Sequence, residues 1–97
     1  MRFRFSAPLW EWSARAEWYF VTVPDEASAD IREIPRPPRG FGAVKVRVRV
    51  GGSAWSTSIF PDSTVGAYVL PVKRSVRVAE GLREAEPVDV ELEVVDA

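Results

Sequence analysis

Apolar and charged residues alternate along much of this chain. In AVKVRVRV, Val44, Val46, Val48 and Val50 fall on one side of an extended backbone, with Lys45, Arg47 and Arg49 on the other. A period of two predicts a half-buried strand. VDVELEV repeats the pattern with the opposite sign, setting Val88, Val90, Leu92 and Val94 against Asp89, Glu91 and Glu93. RFRF at the start places Phe3 and Phe5 against Arg2 and Arg4. AEWYFVTVP, Ala16 to Pro24, is rich in aromatic and β-branched residues and stops at proline, so it too reads as a strand. Gly51-Gly52 is a hairpin dipeptide, AWSTSIF returns as the partner strand, and Tyr68 to Leu70 makes a further short one.

Two segments change to a helical period. In PVKRSVRVAEGL, Pro71 suits a first helical position, Val72, Val76 and Ala79 recur on one face, and Gly81 suits the C-terminal cap. DEASADIREI, Asp25 to Ile34, has acids in its first turn and Arg32 near its end, as the helix dipole favours. The order aromatic strand, proline, helix, loop, strand thus occurs twice, over 17–50 and 67–94, and suggests two similar halves closing one barrel. IPRPPRGFG, Ile34 to Gly42, is the one proline-rich stretch and favours extended polyproline backbone. Arg32, Pro35 and Pro38 have the spacing of a ligand for SH3-type grooves; the alternative is a stiff connection between helix and strand.

The chain has 97 residues, 46% hydrophobic and 28% charged, enough for a single domain, 1–97, with one modest core. It contains no Cys and no His. Disulfides, thiolate nucleophiles, Cys or His zinc sites and His-based triads are therefore excluded, leaving carboxylate pairs or an all-oxygen metal site as the formal options. The net charge of −1 disfavours general phosphate binding by the whole surface. No run approaches the ~20 apolar residues of a membrane span, and MRFRFSAPLW does not read as a secretory signal. The expected setting is cytoplasmic.

Several blocks resemble a known family, the domain of unknown function 1905. They are WYFVTVP (Trp18 to Pro24), VKVRVRVGG (Val44 to Gly52) with SIFPD (Ser58 to Asp62), and GAYVLPVKRSVRVAEGL (Gly66 to Leu82) with VDVEL (Val88 to Leu92). The resemblance implies a bacterial protein with a small double-split β-barrel, similar to AbrB-type regulators and MazE-type antitoxins. In those regulators two chains build the barrel; here the repeated order implies that one chain supplies both halves. Two departures stand out. Glu86-Pro87 replaces the Gly-Asp pair usual before the last strand, and Pro8 to Arg15 matches no part of the pattern. Some relatives carry a second domain associated with bacteriocin protection, for which no counterpart is expected here. The resemblance carries no established activity.

Three surfaces are candidates for contact. Lys73, Arg74 and Arg77 lie at the start and outer face of the second helix, an arrangement suited to a small anionic ligand or simply to a solvated face. Lys45, Arg47 and Arg49, extended by Arg2 and Arg4, could form a basic ribbon for nucleic acid, yet Asp89, Glu91 and Glu93 offer neutralising partners at the same period. The acidic strip could lie against either basic strand. Trp10 and Trp12 share one side of LWEWS and could form an exposed aromatic platform or cap one end of the barrel, whereas Trp18 and Trp55 are expected in the core. Glu11, Glu17, Asp62 and Glu80 have no spacing that defines a catalytic dyad.

The reading is a mainly β protein, a small closed or double-split β-barrel with one or two short helices. It has no catalytic residues, metal or cofactor, and acts as a binding or interaction module for a protein partner or a small anionic ligand, as a monomer or weak homodimer away from membranes. An AbrB- or antitoxin-like nucleic-acid-binding regulator is the alternative, which the acidic balance disfavours. A carboxylate-dependent hydrolase ranks below both.

Overall fold

The structure, a computed structural model, describes residues 1–35 and 42–95. The polyproline stretch, and with it the SH3-type spacing ending at Pro38, falls largely outside them. The elements in chain order are β1 (Arg2–Glu11), β2 (Tyr19–Thr22), α1 (Asp25–Arg32), β3 (Val44–Val50), β4 (Ser53–Asp62), β5 (Ala67–Pro71), α2 (Arg74–Glu80) and β6 (Pro87–Val94). The six strands close a barrel in the order β1-β2-β5-β4-β3-β6, every neighbouring pair antiparallel.

Two long strands make the closure. β1 pairs with β6 through Arg2 to Pro8 and then with β2 through Leu9 to Glu11. β4 does the same, pairing with β3 through Ser53 to Ile59 and with β5 through Phe60 to Asp62. Exchanging β1 with β4, β2 with β5 and β3 with β6 returns the same ring of neighbours.

The alternating strands direct their valines and leucines inward. Val44, Val46, Val48, Val50, Val88, Val90, Leu92 and Val94 are all buried, and the same core includes Leu9, Val21, Ile59 and Leu70. Burying one such side chain contributes about 1.5–3 kcal/mol, which is why the pleat sets the register. A one-residue slip would turn Lys45, Arg47 and Arg49 into the core. Gly51, at φ 57, opens the two-residue turn that fixes β3 against β4, with Val50 opposite Ser53.

α1 starts after Pro24 and is tied to the barrel by Ser28, a residue only 1% exposed. Val23 N–H donates to Tyr68 O at 2.9 Å, as a β ladder requires. The Tyr68 N–H donates instead to Ser28 Oγ (3.1 Å), and that hydroxyl donates to Val23 O (3.0 Å). One serine side chain completes the β2–β5 ladder and joins the helix to it.

α2 is shorter than the sequence pattern predicts. Pro71 closes β5 opposite Phe20, and Val72 N–H still donates to Tyr19 O at 2.9 Å, so both continue the strand. The helix begins at Arg74 with Lys73 as its N-cap. Its end is as expected: Gly81 takes φ 61, and Leu82 N–H reaches back to Arg77 O at 2.9 Å. Glu80 fastens α2 to the β3–β4 turn, accepting from Gly52 N–H (3.2 Å) and Ser53 Oγ (2.6 Å).

The turn before β6 shows how Glu86-Pro87 is accommodated. The left-handed residue is Ala85, at φ 72, with its N–H on Leu9 O at 2.7 Å. Pro87 faces Pro8 across β1–β6; the adjacent pair is bonded from Leu9 N–H to Glu86 O, and the far end of the same ladder from Val94 N–H to Met1 O. Hydrogen-bonded and non-bonded pairs alternate, so the two prolines occupy a pair that needs neither N–H.

Candidate binding site

Between β1 and β2 the chain folds back as a compact turn. Trp12 N–H donates to Trp18 O at 2.8 Å, Arg15 N–H to Trp12 O at 3.1 Å, and Glu17 N–H to the Glu11 carboxylate at 2.8 Å. Glu17 adopts φ 71, a left-handed conformation that costs a non-glycine residue about 1–2 kcal/mol. The turn holds Arg15, Glu17 and Trp18 beside the start of β2, facing the lead-in to α2.

An open cleft of about 500 Å³ lies there, within the usual range for small-molecule sites. Trp18, Tyr19 and Phe20 give it an aromatic side, and among the described residues Arg15, Lys73, Arg74 and Arg77 supply four cations against the single carboxylate of Glu17. The Arg77 guanidinium lies over the Tyr19 ring at 4.2 Å, and that of Arg15 lies over Trp18 at 4.3 Å. A guanidinium centred over a ring still has N–H groups to offer a carboxylate or phosphate. Arg77 Nη2 donates to Glu17 O at 3.4 Å, while its Nε is buried without a hydrogen-bond partner. Arg74 Nη1 stands 3.9 Å from Glu17 Oε2. The Tyr19 hydroxyl is held above the usual phenol range, first by desolvation and then by the carboxylates of Glu11, Glu84 and Glu17, against the opposing pull of Arg77.

The three cations singled out in the sequence, Lys73, Arg74 and Arg77, all line this cleft. The tryptophans distribute differently from the expectation. Trp10 sits on the outer side of β1, stacked on Phe20 at 5.1 Å with its indole N–H donating to Thr22 Oγ1 at 2.9 Å. Trp12 is exposed and meets Trp18 at 6.2 Å. Trp18 is 45% exposed rather than in the core, because β2 begins only at Tyr19. Trp55 packs half-buried against the core. Sequence reasoning missed Arg15, Trp18 and Tyr19 as site residues and weighed Glu17 only as a catalytic carboxylate. Their signal was Ser13-Ala14-Arg15-Ala16, a small-residue break that interrupts the aromatic run and marks a turn.

The basic stripe has a different environment. β6 lies between β1 and β3, so its acids face both basic strands. Glu93 stands between Arg2 (3.8 Å) and Arg47 (3.6 Å), and Glu91 accepts from Arg4 at 3.4 Å. Three of the four carboxylates considered for catalysis hold local structure, and Glu17 lines the cleft: Glu11 holds Glu17 N–H, Glu80 holds the β3–β4 turn, and Asp62 accepts from Thr64 and Val65 N–H at 2.8 and 3.3 Å.

The sequence profile of the family described as Domain of unknown function (DUF1905) matches residues 5–92. The chain belongs to this family. The DUF1905 match begins at Phe5 and so takes in Pro8 to Arg15, the stretch that the sequence blocks left unplaced and that supplies the end of β1 and most of the cleft's outer turn. The cleft lies wholly within the DUF1905 region. No curated protein matches the chain.

Proposed function

We propose that this barrel is a non-catalytic binding module whose cleft beside α2 takes a small ligand combining a negative charge with a flat apolar part. The observation that carries the reading is the lining itself: two guanidinium groups lying over aromatic rings, with Lys73 and Arg74 alongside and, among the described residues, one carboxylate. Catalysis by paired carboxylates finds no support there, since among the described residues Glu17 is the one acid lining the cleft.

The test is a thermal-shift and calorimetric panel of flat anions with neutral counterparts, such as adenosine monophosphate with adenosine and benzoate with benzamide. A ligand at 100 times its dissociation constant stabilises by ~2.7 kcal/mol, and each kcal/mol moves the midpoint of a domain this size by roughly 4–8 °C. The anions should shift the wild type, and Lys73→Ala with Arg74→Ala should lose the shift while keeping its own midpoint. Equal responses from the wild type and the double variant would remove the cleft as the site. Recognition of duplex nucleic acid, suggested by the AbrB- and MazE-type likeness, is the weaker reading because acids lie between the basic strands. Binding that falls steeply with salt would instead favour it.

A further inference from the structure

We infer that the anion taken by this cleft is the doubly charged phosphate of a monoester on a flat ring, with Glu17 as its internal competitor. The inference rests on the binding reading above and narrows it. Among the described residues Glu17 contributes the only negative side chain lining the cleft, 3.9 Å from Arg74, and its carbonyl accepts from Arg77. Its left-handed backbone, braced by the bond to Glu11, keeps that carboxylate beside the cations. A ligand carboxylate that reaches Arg74 exchanges one single charge for another and gains little. A phosphate dianion brings a second charge and more acceptor oxygens to the same group of cations. Trp18, with the Arg15 guanidinium over its ring, provides an aromatic surface for the ring that carries the phosphate.

Charge is supplied to the site by Arg15 and Glu17 from the β1–β2 turn and by Lys73, Arg74 and Arg77 from α2 and its lead-in. Glu11 and Glu84 act on the neighbouring Tyr19. The chain has no histidine to titrate near neutrality, whereas a phosphate monoester takes its second charge near pH 6, by roughly the same chemistry as a phosphorylated side chain.

The experiment is calorimetric titration of the full chain with adenosine monophosphate, adenosine and benzoate at pH 5.0 and 7.5. It uses the wild type, Glu17→Gln and Arg74→Ala. Adenosine monophosphate should bind the wild type severalfold more tightly at the higher pH, and Glu17→Gln should retain that rise, which then belongs to the ligand. Glu17→Gln should tighten adenosine monophosphate by roughly two- to fivefold at pH 7.5, the scale of an exposed ion pair, and Arg74→Ala should weaken it. The inference is overturned if affinity is the same at both pH values, if Glu17→Gln leaves it unchanged, or if benzoate binds as well as the phosphate. In those cases a loss of binding in Arg74→Ala would still support the anion cleft. Binding of none of the three ligands to the wild type or to Glu17→Gln would overturn both readings.

Discussion

Replacing Ser28 by Ala removes a single oxygen, yet that oxygen carries the junction of α1, β2 and β5. It accepts from Tyr68 N–H at 3.1 Å and donates to Val23 O at 3.0 Å, within a residue that is 1% exposed. Without it, a buried N–H and a buried C=O lose this shared partner across a gap that the hydroxyl bridges. Each such loss costs about 1–3 kcal/mol. Allowing for partial closure of the ladder, the expected destabilisation is about 2–4 kcal/mol, or roughly 8–30 °C in the thermal midpoint at the scale for domains of this size. Urea unfolding followed by tryptophan fluorescence measures it, with an unchanged m-value confirming that native compactness is retained. Ser56→Ala, at an exposed position of β4, serves as the control and should stay within about 0.5 kcal/mol. Amide exchange at Tyr68 should accelerate in Ser28→Ala. A change below about 0.5 kcal/mol with Tyr68 still protected would refute the reasoning, because the hydroxyl would then be dispensable to the ladder.

Other variants probe separate parts of the molecule. Ala85→Gly should stabilise by about 0.5–1 kcal/mol, because relief of the left-handed strain at φ 72 exceeds the added freedom of the unfolded chain; a lower urea midpoint would contradict this. Glu93→Gln should cost about 0.2–1 kcal/mol at low salt, since both of its arginine partners are largely exposed. The difference should shrink in 1 M salt, where screening acts over about 3 Å, and a salt-independent loss would show that packing is responsible. Tyr19 has a raised folded-state pKa, so its contribution is fully present below the unfolded value near 10 and is lost as pH rises through the higher folded value. Tyr19→Phe should therefore flatten the fall in stability above pH 10, and parallel curves for the two proteins would remove Tyr19 as a cause.

The parts of the fold legible in the sequence are those where one residue's neighbours along the chain determine its environment. β3 and β6 alternate without a break, and the Gly51-Gly52 turn joins β3 to β4, so these strands follow from period and turn chemistry alone. β1 was read only as RFRF, because Pro8 and the aromatic LWEWS obscure the alternation; pairing with β6 and then β2 carries it to Glu11. Pro71 pointed to a helix start, but the bond from Val72 to Tyr19 O holds the backbone in the sheet and delays α2 to Arg74. At the cleft, the cations of α2 were visible in LPVKRSVRVAEGL. Their aromatic counterparts were not, since Arg77 and Tyr19 are far apart along the chain and meet only when the β1–β2 turn packs beside α2.

Alternation, turn dipeptides and the absence of Cys and His determined by themselves that the chain is a mainly β domain without thiol or imidazole chemistry, for these depend on local geometry and residue identity. Tertiary structure decided what lies across from what. The acidic strip could have neutralised either basic strand; barrel closure places β6 between β1 and β3, so Glu93 stands between Arg2 and Arg47. The same closure brings Arg15, Trp18, Tyr19, Arg74 and Arg77 around one cleft. Burial of the alternating apolar face selects the register, and the charged and aromatic groups take the neighbours that this register leaves them.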